Sequence, residues 1–177
     1  MTTQPILETE RLVLRLPRMQ DAETIFRTYA HDPEVCRYVT WKPNQSLEEI
    51  RTYMRARLEG IDKGSLFAWV VTYKGDDALL GIIELRLNVY KADFGYVLAR
   101  QFWGRGIMSV ALRAVVNFAF TLPGMYRVWA VCDAENRASA RVMEKAGLTC
   151  EGMLRRYIIH PNLSDEPRDV YCYALTR

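Results

Sequence analysis

The sequence is short of the residues from which metal and disulfide sites are built. Its 177 residues include two histidines and four cysteines, and no Cys-x-x-Cys pair occurs. His31 and His160 alone cannot complete a zinc-binding spacing, so we predict no metal site. Scattered cysteines of this kind are typical of reduced thiols in the cytoplasm. These cysteines are Cys36, Cys132, Cys150 and Cys172.

Long apolar runs and a strong charge bias are also missing. No segment approaches the ~20 apolar residues of a membrane span, and Glu8 and Glu10 stand where a signal peptide would be apolar. The 24 basic and 21 acidic residues give a net charge of +3, which is too small and too scattered for a nucleic-acid surface. We therefore expect a cytoplasmic protein that binds neither membranes nor nucleic acids.

The composition is that of a folded domain. Half of the residues are hydrophobic and 25% are charged, which excludes a disordered chain or a collagen-like repeat. The length predicts one domain over residues 1–177, without repeats or linkers. The hydrophobic periodicity predicts a strand, two helices, three strands, a helix, a strand, a helix and two strands. This order favours an α/β protein with a mixed sheet covered by helices.

The hydrophobic pattern predicts the boundaries of the strands and helices. The first strand should be buried on one face only, because Arg11, Val13 and Arg15 alternate with leucines. The predicted strands cover residues 12–16, 67–73, 79–87, 93–99, 126–132, 149–157 and 168–175. The predicted helices begin near Asp21 and Ser46 and cover 107–122 and 136–146. We expect His31-Asp32-Pro33 to end the first helix.

The most informative segment is the loop Gln101–Gly106, which lies between a strand and a strongly apolar helix. Gly104 and Gly106 would let backbone N–H groups approach a ligand without hindrance from Cβ atoms. The start of the next helix adds unpaired N–H groups and the positive end of its dipole. Arg100 and Arg105 could add positive charge. Together these features favour a site for an anion such as a pyrophosphate.

Two common phosphate-binding motifs do not match this loop. A Walker loop needs four residues between its glycines, whereas only Arg105 separates these two. A dinucleotide fingerprint needs a third glycine or an alanine three residues after the second glycine, and this chain has Ser109 there. An ordinary strand-to-helix turn that uses glycine for its geometry also explains the pattern, and spacing alone leaves both interpretations open.

The motif Gln-x-x-Gly-x-Gly at residues 101–106 resembles motif A of the GNAT N-acetyltransferases, and the segment Asn136–Leu148 resembles their motif B. The two ends of the chain, Leu7–Arg15 and Arg168–Ala174, resemble those of the RimJ/RimL-like subgroup. The resemblance implies the GNAT fold. In that fold about four helices flank a mixed, mostly antiparallel seven-stranded sheet whose two central parallel strands splay apart. Here those strands would be 93–99 and 126–132.

The resemblance also implies how acetyl-CoA would bind as cosubstrate. The backbone of Val97 and Leu98 would pair with the pantetheine arm, and the N–H of Leu98 would stabilise the oxyanion. Asn136 would hydrogen-bond the pantetheine, and Ser139 would protonate the leaving thiolate. The remaining residues implied at the cofactor lie in the motif A loop and the helix after it: Gln101, Gly104, Arg105, Gly106, Ile107, Met108 and Ser109.

Several of these residues have alternative explanations. Asn136 stands where a helix N-cap belongs, and Ser139 in a first helical turn is usually a surface hydroxyl. Many family members have a tyrosine on this helix as the acid, and none occurs between Asn136 and Gly147 here. For the general base, Glu84 lies between apolar neighbours on a strand, although it could equally face solvent. Weaker candidates for the base are Tyr96 and Glu151.

The acceptor can be narrowed on chemical grounds. An α-amine with a pKa near 8 is roughly one-tenth neutral at pH 7, whereas a lysine amine is almost fully protonated. This difference and the subgroup resemblance favour a protein or peptide N-terminus, and a loop with Tyr38, Trp41 and Lys42 would lie over the acceptor side. We expect direct transfer, because neither motif places a Cys or Ser beside a His.

Two other interpretations of the function stay open. A small amine such as a polyamine, an aminoglycoside or an amino acid could be the acceptor, or the chain could be a non-catalytic acyl-CoA sensor. The sequence is compatible with a monomer or a homodimer.

Overall fold

The structure is a computed structural model that describes residues 4–177. One sheet contains all of its strands, in the order β1-β2-β3-β4-β5-β6-β8-β7. The strands are β1 (Leu7–Glu8), β2 (Leu12–Arg15), β3 (Leu66–Tyr73), β4 (Gly81–Leu87), β5 (Lys91–Leu98), β6 (Arg127–Asp133), β7 (Thr149–Ile158) and β8 (Arg168–Thr176). The helices are α1 (Asp21–Thr28), α2 (Pro33–Cys36), α3 (Leu47–Asp62), α4 (Ile107–Ala119) and α5 (Arg137–Lys145).

The predicted fold class is confirmed, with two more elements than expected. All neighbouring strands are antiparallel except β5 and β6, which are parallel. The eighth strand is β1, a short edge strand whose Leu7 pairs with Leu14. The fifth helix is α2, which begins because the side chain of Asp32 accepts a hydrogen bond from the N–H of Glu34 at 2.9 Å. His31-Asp32-Pro33 thus ends one helix and starts another.

Helices cover the two faces of the sheet with separate apolar cores. On one face, α4 packs its buried residues against leucines of β2 and aromatic side chains of β3. On the other face, α1 and α3 pack against Val70 and Ile82. Side chains alternate between faces along a strand, so the residues of β5 contribute to both cores. Phe94 belongs to the core on the α4 side, and Val97 packs on the α1–α3 side.

The prediction of a half-buried first strand holds at Val13, which is partly exposed, but it is wrong at Arg15. Arg15, expected on the more exposed face, is only 7% exposed. Its guanidinium lies 2.7 Å from the carboxylate of Asp21 in the first turn of α1, and Asp77 binds it from the turn between β3 and β4. A charge at this depth requires such partners.

None of the helices in the described part of the chain is long and apolar enough to cross a membrane. Residues 4–177 likewise contain no group of three or more His, Cys, Asp or Glu side chains arranged to hold a metal ion.

Candidate active site

The two parallel strands of the sheet separate from one another. β5 and β6 pair only at their first residues, where Lys91 faces Arg127 and Asp93 faces Trp129. Beyond that point β5 stays paired with β4 up to Leu98, and β6 stays paired with β8. A wedge-shaped gap therefore opens between the two strands towards their carboxyl ends, as the family resemblance predicts.

The backbone of Leu98 faces this gap. Ala99 donates its N–H to the carbonyl of Leu80 at 2.9 Å, and hydrogen-bonded pairs alternate along an antiparallel ladder. Val97 therefore directs its N–H and C=O towards β4, and Leu98 directs its own away from β4. The carbonyl of Leu98 accepts a hydrogen bond from the indole of Trp103 at 2.8 Å. This geometry favours Leu98 over Val97 for a backbone contact to a ligand in the gap.

The motif A loop leads from the end of β5 into α4. After the short 3₁₀ turn Arg100–Phe102, the chain turns through Gly104 and Gly106, whose φ angles of +75° and +70° strongly favour glycine. Gly106 is the N-cap of α4 and has no side chain to bond the first turn. The first intrahelical bond runs from the N–H of Val110 to the carbonyl of Gly106. The N–H groups of residues 107–109 thus begin the helix without a side-chain cap.

The side chains around this loop separate into anchors and exposed groups. Ile107, Met108 and Ser109 are buried and fix the first turn of α4 to the core. Gln101 and Arg105 are exposed. The guanidinium of Arg105 lies 5.8 Å from the ring centre of Phe102. Arg11, from the turn before β2, donates to the carbonyl of Arg105 at 3.3 Å. Two cations and uncapped helical N–H groups therefore surround the loop, which suits a pyrophosphate.

The start of α5 combines a helix cap with a polar pair. The side-chain oxygen of Asn136 accepts the N–H of Ser139 at 3.1 Å, so the predicted capping role of Asn136 is confirmed. Ser139 is half-buried rather than an exposed surface hydroxyl. Its Oγ lies 2.7 Å from the phenolic oxygen of Tyr96, which is also 3.3 Å from the carbonyl of Ser139. This contact joins β5 to α5 across the open end of the gap.

Tyr96 is better suited to donate a hydrogen bond than to accept a proton. Burial raises its pKa above the usual value of a phenol, even though its hydrogen bond with Ser139 opposes the shift. The hydroxyl therefore stays protonated over the physiological range. The family's tyrosine is missing from α5, and a tyrosine from β5 places its hydroxyl beside the first turn of that helix. The sequence indicated only a weak candidate base at this position.

Glu84 is buried and fully engaged, so the alternative in which it faces solvent is wrong. It is 6% exposed. Its Oε1 accepts the hydroxyl of Tyr53 and the Nε of Arg57, each at 2.5 Å. Arg86 donates to its Oε2 at 3.4 Å. Both carboxylate oxygens of Glu84 are therefore occupied by hydrogen-bond donors of the protein itself. The geometry therefore favours a structural role for Glu84.

Glu151 is also committed to an ion pair. Both of its oxygens bind the guanidinium of Arg127, one of them at 2.8 Å. The hydrogen bond from Arg127 lowers the pKa of Glu151 below the usual carboxyl value. Because Arg127 is the first residue of β6, this pair lies at the closed end of the gap.

Two loops meet on the α1–α3 side of the sheet. The loop after α2 carries Tyr38 and Trp41, which are half-buried, and the exposed Lys42. The side-chain amide of Asn162, between β7 and β8, donates to the carbonyls of Cys36 and Trp41 at 2.6 and 2.9 Å. These bonds fasten the loop between β7 and β8 onto the loop after α2.

The cysteines near the gap are not activated nucleophiles. All four cysteines are free thiols. Burial, reinforced by the charge of Asp133, raises the pKa of the Cys132 thiol to about 12. A thiol in that state is rarely a thiolate at neutral pH, so the site offers little support for an acyl-cysteine route.

Comparison with known proteins gives a consistent result. The acetyltransferase (GNAT) domain family matches residues 11–149. The chain is 31% identical to the uncharacterized N-acetyltransferase YoaA of Bacillus subtilis, covering 98% of this chain and 97% of YoaA. A GNAT-family acetyltransferase from Bacillus anthracis superposes with a TM-score of 0.85 at 26% identity, covering 97% of this chain and 98% of that chain.

The fold is also shared with RimL, the ribosomal L7/L12 alpha-N-protein acetyltransferase, solved in complex with coenzyme A. Its TM-score is 0.86 at 21% identity, and the superposition covers 97% of this chain and 98% of RimL. The chain belongs to the GNAT family and is an acetyl-CoA-dependent N-acetyltransferase.

Proposed function

We propose that this enzyme acetylates the α-amine of a protein or peptide N-terminus by direct transfer. The observation that carries the proposal is the charge balance on the α1–α3 side of the gap. Two carboxylates of β4 and β5 on that side are already paired: Glu84 binds Arg57 and Arg86, and Asp93 binds Arg86. A polyamine acceptor would need unpaired carboxylates for its further ammonium groups, whereas a single α-amine needs none.

Two further considerations support an N-terminal acceptor. An α-amine is roughly one-tenth neutral at pH 7, so it needs much less help from a base than a lysine amine does. RimL, which shares the fold, is named for acetylating a protein α-amine. The two loops joined by Asn162 would border the acceptor.

On the cofactor side, acetyl-CoA would bring an acetyl group activated as a thioester. The loop residues Gln101 and Arg105 and the N–H groups from Gly104 to Ser109 would hold its pyrophosphate. The Leu98 N–H, which faces the gap, would bind the thioester oxygen as that atom gains negative charge. The amide nitrogen of Asn136 would remain available for the pantetheine arm, because its oxygen caps α5.

Ser139 and Tyr96 would serve the departing sulfur together. If the Tyr96 hydroxyl donates its hydrogen bond to the Ser139 Oγ, the hydroxyl proton of Ser139 is free to point at the sulfur. The serine O–H would then stabilise the thiolate as the C–S bond breaks. The raised pKa of Tyr96 keeps its hydroxyl a donor throughout the working pH range.

Three acceptors test the proposal when release of the CoA thiol is followed with a chromogenic disulfide. The first is a lysine-free peptide with a free α-amine, the second is an Nα-acetylated peptide with one internal lysine, and the third is spermidine. We expect turnover with the first peptide and at least tenfold less with the other two. Preference for spermidine would show a small-amine enzyme and refute the proposal. CoA binding without thiol release from any acceptor would indicate a sensor.

A further inference from the structure

His160 is a buried side chain whose ring nitrogens find no hydrogen-bond partner within residues 4–177. It lies just after β7 and is 5% exposed. Neither Nδ1 nor Nε2 is hydrogen-bonded by any group in residues 4–177. Buried polar atoms are nearly always paired, and leaving one unpaired destabilises the fold. An imidazole kept in this state indicates a function that involves another molecule.

The position of His160 relates it to the gap. Its Nε2 lies 3.7 Å from Asp133 Oδ2, at the last residue of β6. Lys91 faces Arg127 in the parallel register, so six residues further along, Val97 and Asp133 lie at the same level on opposite sides of the gap. Cys132 belongs to the core on the α4 side. Because side chains alternate along a strand, the next residue of β6, Asp133, points to the opposite face. His160 is therefore placed on the acceptor side, near the level of Leu98.

Charged and aromatic groups of three neighbouring segments surround the ring. Asp133 is an anion, because the guanidinium of Arg168 at 2.6 Å holds its pKa below the usual value against the opposing effect of burial. Arg168 is shared with Glu135 at 3.1 Å. From the loop after α2, the Tyr38 ring meets the imidazole edge-on, with 6.4 Å between the ring centres.

The other candidate bases are already engaged. Glu84 is held by two guanidinium groups and a phenol, Glu151 pairs with Arg127 at the closed end of the gap, and Tyr96 remains protonated on the α4 side. Among the side chains considered as bases, His160 is the titratable group whose acceptor atoms are not committed within the described chain.

We propose that His160 is the general base, accepting a proton from the acceptor ammonium directly or through one water, with Asp133 as its positioning residue. This inference rests on the proposed function. The ammonium transfers one proton to the imidazole, and the neutral amine forms the C–N bond with the acetyl carbon. The C–S electron pair leaves with the sulfur, and the amine's second proton ends on the CoA thiol. The imidazolium returns its proton to solvent.

The experiment compares His160→Phe and His160→Gln with the wild-type enzyme, using acetyl-CoA and the lysine-free peptide. We expect both variants to lose about a hundredfold or more in kcat, as removal of a general base does. The acidic limb of the pH–rate profile, which reports protonation of the general base, should disappear. His160→Phe should unfold at the same or a higher temperature, because an apolar ring replaces two unpaired polar atoms.

His31→Gln is the matched control, since His31 is the other histidine, is exposed and meets the ring of Phe26 at an interplanar angle of 53°. It should keep the wild-type rate and pH profile. A second readout uses an acceptor whose amine is already neutral at pH 7, with which the His160 variants should recover most of their rate.

Two results would overturn the inference in distinguishable ways. A wild-type pH profile and kcat in either His160 variant would exclude His160 as the base and leave the proposed function standing. No thiol release by the wild-type enzyme with any amine would remove the proposed function and the base together.

Discussion

Replacing the motif A glycines by alanine separates ligand approach from turn geometry, the two explanations that the sequence leaves open. Gly104 and Gly106 have φ angles of +75° and +70°, and Gly75 in the turn after β3 has +83°. An L-residue in this region costs about 1–2 kcal/mol. A Cβ at Gly104 or Gly75 would meet no atom within 4 Å. Gly75→Ala therefore shares the strain of Gly104→Ala but lies outside the proposed cofactor site.

The expected stability changes are equal, and the expected affinity changes are not. Each substitution should lower the melting temperature by a few degrees, at about 2–4 °C per kcal/mol for a chain of this size. If the loop N–H groups hold the pyrophosphate, loss of one hydrogen bond to a charged group costs about 1.5–3 kcal/mol. That loss corresponds to a CoA dissociation constant about tenfold to a hundredfold higher.

Calorimetric titration with CoA, alongside thermal unfolding of each variant, measures both quantities. Gly104→Ala and Gly106→Ala should bind CoA weakly, and Gly75→Ala should bind it as the wild type does. If all three variants lose stability and all three keep the wild-type dissociation constant, the glycines serve only the turn. The assignment of the pyrophosphate to this loop would then be wrong.

Three further outcomes are expected. Tyr96→Phe and Ser139→Ala should each lower kcat about tenfold to a hundredfold, and the double variant should lose no more than the worse single variant. The control is Tyr173→Phe, which removes another phenol bonded to α5. Additive losses in the double variant would show that Tyr96 and Ser139 act independently. Glu84→Gln should lower the free energy of unfolding by about 1–3 kcal/mol and leave the pH–rate profile unchanged; loss of the acidic limb would restore Glu84 as the base. The lowered pKa of Asp133 stabilises the fold above about pH 4, and this contribution is lost as pH falls through the folded-state pKa. The free energy of unfolding in urea should therefore differ most between Asp133→Asn and the wild type near pH 6, and least near pH 3. A difference that does not change with pH would contradict the lowered pKa of Asp133.

Local signals predicted much of the fold. The glycines before α4 and the asparagine before α5 mark helix starts through their own backbone chemistry, and both helices begin there. Features that depend on a partner elsewhere were not predictable in this way. Alternation placed Arg15 on the more exposed face of β2, but Asp21 and Asp77 draw it inside. The short α2 was missed because a proline that ends one helix can also occupy the first turn of another.

The chemical roles depend on strand register, which no local pattern fixes. Tyr96 and Val97 are adjacent, yet Tyr96 reaches Ser139 on the α4 side and Val97 packs on the α1–α3 side. A shift of the β5 register by one residue would move every side chain to the opposite face of the sheet. The residues on the side of the departing thiolate and those on the side of the incoming amine would then be exchanged. Glu84 and His160 lie on the same acceptor side, and only their hydrogen bonds distinguish an engaged carboxylate from an unpartnered imidazole. The base could therefore be sought only after the pairing of β4, β5 and β6 was known.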